Sequence, residues 1–120
     1  MQVNLHSNEG NQFTSYSENT VTINQMEYKN NLLVTPSIIK PVEITNIAEL
    51  DDLFLEEILT HKPDIIIFGT GNTIKYPANN ILKKLQQLRI GFEVMPVPAL
   101  CRTFNYLIGE GRNVVGVLLF

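Results

Sequence analysis

The sequence has one cysteine, few basic residues and no long apolar run, and each shortage excludes a class of protein. Because Cys101 has no second cysteine to pair with, an internal disulfide is impossible, which agrees with a reducing compartment. The nine lysines and arginines are scattered, and twelve acidic residues outnumber them, for a formal net charge of -3. Nucleic acid is therefore not an expected partner.

No segment approaches the ~20 consecutive apolar residues that a membrane-spanning helix needs. Residues 1–20 are polar and lack the basic start and apolar stretch of a secretory signal. We therefore expect a cytoplasmic protein with no membrane span.

The sequence does contain enough apolar material for one core. Its 120 residues are 44% hydrophobic and 18% charged, which suits a single folded domain over residues 1–120. Residues 1–12 are polar and aperiodic, so they are predicted to form a loosely ordered arm.

The N-terminal half has the pattern of short, mostly antiparallel β-strands. Strands separated by turn residues are predicted at 13–17, 20–24, 25–28 and 32–34. Pro36 and Pro41 bracket Ile38-Ile39, where the missing N–H of proline favours an edge or irregular strand.

The second half alternates amphipathic helices with buried strands. Apolar residues at three- and four-residue spacing predict helices near 48–59, 78–89 and 99–109. The apolar stripes are Ile47, Leu50, Phe54 and Ile58 in the first helix, and Ala78, Ile81, Leu82, Leu85 and Leu88 in the second. The acidic face of the first helix, with Asp51, Asp52, Glu56 and Glu57, is interpreted as a solvated surface.

The apolar segments 65–68, 92–95 and 114–119 are predicted to be neighbouring strands of one sheet. Their alternation with helices indicates an α/β fold. The order of the strands and the direction of the last one stay open.

Three segments carry a resemblance to a known family: Pro63-Asp64-Ile65-Ile66-Ile67-Phe68-Gly69-Thr70-Gly71, then Gly91 to Met95, then Cys101 to Leu107 followed by Glu110-Gly111-Arg112. They resemble the family that contains the mitochondrial NADH dehydrogenase (ubiquinone) alpha-subcomplex assembly factor three and bacterial relatives known as a domain of unknown function. The resemblance implies a three-layer fold with a central mixed sheet of about five strands, flanking helices and N-terminal antiparallel strands. It also implies a protein partner in respiratory complex assembly, with no accepted enzymatic activity.

The Gly69-Thr70-Gly71 segment follows a buried strand, the setting in which glycines let backbone N–H groups approach a phosphate. The dinucleotide fingerprint is incomplete because Ile74 occupies the position of its third glycine, and no Gly-Lys-Ser/Thr follows. We favour a tight strand-exit turn and expect no cofactor. Glu110-Gly111-Arg112 is similarly interpreted as the turn into the last strand.

Cys101 near a helix start could be a nucleophile, but His6 and His61 are not placed by sequence as its base. A buried core cysteine is the favoured interpretation. One cysteine and two distant histidines also give no metal-ligand spacing, so no metal is expected.

One candidate ligand-binding cleft remains. Strand ends and a helix start are predicted to bring together Thr70, Gly71, Lys75, Arg102 and Asn105, a set of donors and positive charge suited to a carboxylate or phosphate. The alternative is structural, with Arg102 paired to a carboxylate and Asn105 tying down a loop.

Three functions follow from these observations. The leading hypothesis is a non-enzymatic protein-binding or assembly factor that has no catalytic residues. Respiratory complex I is the candidate complex that it helps to assemble. The second is a small-anion-binding protein or enzyme that uses the Gly69–Gly71 loop and Arg102. The third is a structural homo-oligomer formed through the apolar C-terminal strand.

Overall fold

The computed structural model describes residues 10–17 and 19–120, so most of the predicted N-terminal arm lies outside the described residues. The end of that arm is bound into the fold. The backbone N–H of Asn11 donates to Pro36 O, and its side chain donates to Thr35 O, both at 2.8 Å.

Within the described residues, eight strands and three helices follow one another in the order that the sequence pattern predicts. The strands are β1 Phe13–Tyr16, β2 Val21–Ile23, β3 Met26–Tyr28, β4 Leu32–Val34, β5 Ile39–Pro41, β6 Ile65–Thr70, β7 Gly91–Met95 and β8 Val114–Leu119. The helices are α1 Asp52–Leu59, α2 Asn79–Gln87 and α3 Val97–Gly109, and a single 3₁₀ turn, Ile47–Glu49, precedes α1. The predicted alternation of strand and helix is therefore confirmed.

The first helix is shorter than its apolar stripe predicts because two separate caps divide the segment. Asn46 and Glu49 form a reciprocal capping box around the 3₁₀ turn, which ends at Leu50. Asp51 then begins α1 by accepting a hydrogen bond from Phe54 N at 2.9 Å. Ile47 and Leu50 still reach the core, but from the turn and not from the helix.

Five strands form a mixed sheet in the order β5-β4-β8-β6-β7. Strand β6 is parallel to both β8 and β7, whereas β4 is antiparallel to β8 and β5. The prediction that segments 65–68, 92–95 and 114–119 are neighbouring strands of one sheet is therefore confirmed. Strand β8 is hydrogen-bonded on both edges, to β4 and to β6, so it offers no free edge for pairing with a second copy of the chain.

The other three strands form a separate antiparallel sheet in the order β1-β2-β3. Asn24 and Gln25 join β2 to β3 with φ values of 53° and 71°, the paired positive φ of a two-residue hairpin turn. This small sheet and α3 pack on one face of the large sheet, while α1 and α2 pack on the other.

Alternate residues of the central strands build two separate cores. On β6, Ile65 and Ile67 point to the α3 side, whereas Ile66 and Phe68 point to the α1 and α2 side. The two apolar clusters sandwich the sheet and make the three-layer α/β architecture.

Helix α2 buries a narrower stripe than the sequence predicts. Ile81 and Leu85 are fully buried and Leu82 is half-buried, but Ala78 and Leu88 are exposed. Both lie just outside the helix, which begins at Asn79 and ends at Gln87, so the helical spacing no longer directs them to the core. Their predicted place in the stripe was wrong.

Candidate functional site

The turn after β6 is folded by the hydroxyl of Thr70, a side chain that is nearly buried at the carboxyl end of the strand. Its Oγ1 donates to Thr73 O at 2.5 Å and accepts from Lys75 N at 3.2 Å. These two bonds close residues 70–75 into a compact turn, so this hydroxyl is engaged within its own loop.

Gly71 supplies a left-handed residue to the same turn. Its φ is +65°, and a Cβ at this position would lie 3.3 Å from Phe120 O. Its own carbonyl accepts from Val97 N at 3.2 Å, which links the turn to the first residue of α3. The need for glycine here is therefore explained by chain geometry, in agreement with the predicted strand-exit turn.

Gly69 is explained by packing on the opposite side of the strand. A Cβ on Gly69 would lie 2.9 Å from Leu100 Cδ1, closer than side-chain carbons approach. Gly116 on neighbouring β8 also faces Leu100, at 3.5 Å. The two glycines let α3 approach the sheet closely enough for Leu100 to pack on the backbone.

A small cavity lies where the parallel strands β6 and β8 end. Its volume is about 80 Å³, which leaves room for a few water molecules or one small anion. The lining residues are Thr45, Asn46, Ile47, Thr70, Lys75, Leu119 and Phe120. Two of the predicted ligand-binding residues, Thr70 and Lys75, therefore share this cavity.

The other two predicted side chains, on α3, bind the small sheet. The Asn105 side chain pairs with the backbone of β1 as a neighbouring strand would. Its Oδ1 accepts from Phe13 N and its Nδ2 donates to Phe13 O, both at 2.8 Å. Arg102 Nη1 donates to Tyr16 Oη at 2.8 Å, and its guanidinium carbon lies 5.9 Å from the Tyr16 ring centroid. Within the described part of the chain, neither Arg102 nor Asn105 lines the cavity at the end of β6.

The structural alternative for these two residues is partly correct. Asn105 does tie down the N-terminal part of the chain, although its target is a strand edge and not a loop. Arg102 contacts a tyrosine hydroxyl and ring, where the expected partner was a carboxylate.

The outer side of α3 carries an exposed group of large polar side chains. Tyr106, one helical turn after Arg102, is 65% exposed, and Tyr16, which contacts Arg102, is 40% exposed. A hydrogen bond from Tyr106 to Glu110, together with the negative charge of Glu110, raises the pKa of the Tyr106 hydroxyl. We call Tyr16, Arg102 and Tyr106 the tyrosine–arginine surface.

The sequence pattern identifies only part of this surface. Helical spacing groups Arg102 with Tyr106, but Tyr16 is 86 residues away from Arg102 along the chain. The signal that could have identified Tyr16 as part of this surface is weak. On β1, Phe13 faces inward and the residues after it, including Tyr16, are exposed.

Cys101 is a buried core residue, as predicted. It is fully inaccessible among the apolar residues of α3, and this burial raises the pKa of its thiol to about 12, although Arg102 acts in the opposite direction. The thiol is therefore protonated at neutral pH and unsuited to nucleophilic attack. No cluster of three or more potential metal-ligating side chains is found among residues 10–17 and 19–120.

The remaining predicted surface features are also accounted for. Gly111 has φ +76° and donates its N–H to Ile108 O, which confirms the turn between α3 and β8. The acidic face of α1 is solvated, and two of its members form ion pairs, Asp52 with Lys84 and Glu57 with Lys40. Across the described part of the chain, no helix has the length and apolar character to cross a bilayer.

Comparison with known families gives one match over almost the whole chain. The profile of the family described as "Protein of unknown function (DUF498/DUF598)" matches residues 13–119. The matched region begins at β1 and ends with β8, so both sheets and all three helices are included.

Two kinds of curated relative are similar to this chain. The "13 kDa major membrane protein" of Francisella tularensis is 26% identical over 109 residues, which cover 89% of each chain. The "NADH dehydrogenase [ubiquinone] 1 alpha subcomplex assembly factor 3" of Rattus norvegicus is 30% identical over 112 residues, 88% of this chain and 57% of the rat protein. The human assembly factor is 35% identical over 69 residues, which cover 58% of this chain and 37% of the human protein. The chain thus spans about half the length of the assembly factors that it matches.

Solved structures share the fold. A crystal structure of a Bordetella parapertussis protein is similar with a TM-score of 0.83 and 25% identity, over 92% of this chain and 95% of that one. A solution structure from Xanthomonas campestris also has a TM-score of 0.83, at 22% identity, over 95% of this chain and 87% of that one. A Bordetella pertussis structure described as an Mth938-like domain gives 0.76 at 21% identity, over 91% and 85%.

Proposed function

The chain belongs to the family of proteins of unknown function DUF498/DUF598, and from that premise we propose that it is a non-enzymatic protein-binding factor in the assembly of respiratory complex I. The observation that carries the proposal is the extent of the match to the rat assembly factor. The match includes 88% of this chain but 57% of the rat protein. An activity shared by the two proteins would therefore reside in this one domain.

The tyrosine–arginine surface is the place where we propose that the partner docks. Tyrosine and arginine are the residue types that, with tryptophan, dominate the binding energy of protein interfaces. The Arg102 guanidinium is already held against Tyr16 by a hydrogen bond and ring contact. Less side-chain entropy is therefore lost when a partner covers it.

The proposal is tested by deleting the gene in the native cells and measuring assembled complex I on native gels. We expect the deletion to lower the amount of assembled complex and the wild-type chain to restore it. Tyr106→Ala and Arg102→Ala should restore it poorly. Tyr76→Ala is the matched control, because Tyr76 is 62% exposed and Tyr106 65% exposed, and Tyr76 lies on the loop before α2. An unchanged level of complex I after deletion would remove the assembly function.

The cavity at the end of β6 favours a second candidate, the binding of a small anion. Ligands of open α/β sheets collect beyond the carboxyl ends of the strands, and the Lys75 ammonium supplies positive charge there. From the predicted cleft the candidate keeps Thr70 and Lys75, which line the cavity, and Gly71 belongs to the turn between them. Arg102 and Asn105 contact β1 instead.

Inorganic phosphate and acetate are suitable probes for this candidate. We expect amide chemical shifts to change at residues 70–75 during titration, and the change to be lost in Lys75→Ala. Lys83→Ala removes an exposed lysine on α2 and serves as the control. Equal responses of the two variants would show that general ionic strength, and not the cavity, causes the shifts.

We also propose that the protein is located in the cytoplasm. The absence of a suitable apolar helix in the described residues does not decide the compartment, and one relative is named as a membrane protein. Fractionation of native cells tests the location directly. Recovery of the chain in the membrane fraction after a salt wash would contradict it.

A further inference from the structure

The five-stranded sheet has two outer edges, and they differ in how well they resist pairing with another strand. Strand β5 is three residues long and contains Lys40 and Pro41, two residue types that blunt an edge. Strand β7 is five residues long and contains neither proline nor lysine.

The outer edge of β7 is open within the described residues. Strand β7 pairs with β6 along its whole length, from Gly91 opposite Ile65 to Met95 opposite Gly69. Across residues 10–17 and 19–120, no backbone hydrogen bond joins β7 to a second neighbour. The edge therefore presents a row of backbone donors and acceptors about 17 Å long, at ~3.3 Å per residue.

The middle of this edge carries one negative charge. Glu93 is exposed, and it takes part in none of the ion pairs found among the described residues. Its neighbours Phe92 and Val94 point to the other face of the sheet, where they pack on the cluster beneath α1 and α2. A strand added to β7 would thus have its central side chain directly opposite Glu93.

This charge disfavours a second copy of the chain as the occupant. Two copies of β7 related by a two-fold axis run antiparallel, and full overlap of all five residues places Glu93 opposite Glu93. Like charges directly opposite each other destabilise a strand pair. A shift by one step in the symmetric register, with Phe92 opposite Phe92, leaves three of the five strand residues overlapped.

We propose that the β7 edge binds an extended segment of a partner protein that carries lysine or arginine opposite Glu93. The backbone row supplies hydrogen bonds in the manner of strand addition, and the Glu93 carboxylate selects the basic residue. The inference rests on the proposed protein-binding function. It concerns a different surface from the tyrosine–arginine surface.

The experiment uses two synthetic peptides that differ only at their centre, Thr-Val-Thr-Val-Lys-Val-Thr-Val-Thr and the same peptide with glutamate in place of lysine. Each is titrated into the isotope-labelled chain while the amide signals of residues 91–95 are followed. We expect the lysine peptide to shift these signals and to bind roughly 3- to 10-fold more tightly than the glutamate peptide. In Glu93→Lys the preference should reverse.

Three results would overturn the inference. The first is that neither peptide shifts the signals of residues 91–95. The second is that both peptides bind equally well to the wild-type chain and to Glu93→Lys. The third is that the wild-type chain alone shows concentration-dependent shifts at β7, which would make a second copy the occupant. None of these depends on complex I, so failure here is distinguishable from failure of the assembly function.

Discussion

Gly69→Ala tests whether the glycines of the β6 turn serve packing or ligand approach. The added Cβ would lie 2.9 Å from Leu100 Cδ1 and 3.4 Å from Val97 Cγ2. Carbon atoms attract best at ~3.5–4.0 Å, so Leu100 has to move by about half an ångström or more. Leu100 is completely buried, and overpacking of this kind costs about 1–3 kcal/mol.

The assay is thermal and urea unfolding of the variant, which we expect to melt roughly 3–5 °C lower per kcal/mol lost for a domain of this size. Leu100→Ala relieves the clash, so Gly69→Ala should cost less in that background, with a coupling of about 1–2 kcal/mol. Gly109→Ala is the control. Among the described residues, no atom outside its chain neighbours and the backbone of its own helix lies within 4 Å of the Cβ position. The exchange should therefore stabilise the fold by up to ~1 kcal/mol. Equal melting of the two single variants would refute the packing explanation.

Three further predictions concern the same region. Gly71→Ala should destabilise by about 1–2 kcal/mol in urea unfolding, because its φ of +65° is strained for alanine. Asn105→Ala should lower the free energy of unfolding by about 1–3 kcal/mol, since the Phe13 N–H and carbonyl both lose their partner. The control Asn80→Ala, at an exposed position, should change it by no more than ~0.5 kcal/mol. Burial raises the pKa of the Cys101 thiol to about 12 from an ordinary value of 9.0, so its contribution to stability is complete below pH 9 and is lost as pH rises toward 12. Cys101→Ala should remove that part of the alkaline decline, and an unchanged pH profile would contradict the burial effect.

The sequence predicts the layers of this fold well because buried residues recur along each helix or strand at a fixed spacing. Ile66 and Phe68 alternate with Ile65 and Ile67 between two cores, which makes the segment a continuous apolar run. The register of β8 between β4 and β6 could not be predicted in the same way. All six residues of β8 are buried, so apolar character alone does not specify its neighbours or its direction.

The predicted cleft shows where local pattern stops being informative. Thr70 and Lys75 are five residues apart and share one turn, so their proximity follows from chain connectivity. Arg102 and Asn105 meet β1 across 86 and 92 residues, and only packing of the small sheet on α3 creates those contacts. Side-chain chemistry did identify polar residues with a specific task, but the task of Asn105 is to hold a strand edge.

Helix α3 links the two parts of the structure that bear on function. Its first residue is bonded to the Gly71 carbonyl, its buried side packs on Gly69, and Asn105 holds β1 with Tyr16 at its end. The tyrosine–arginine surface is therefore positioned by anchors that are themselves buried or half-buried. With the partner docked as proposed, Asn105→Ala should weaken its binding by displacing Tyr16, although Asn105 itself lies outside the proposed docking surface. Arg102→Ala should weaken binding with little loss of stability, since its contacts are exposed. Measuring both quantities in both variants separates a binding residue from a residue that positions one.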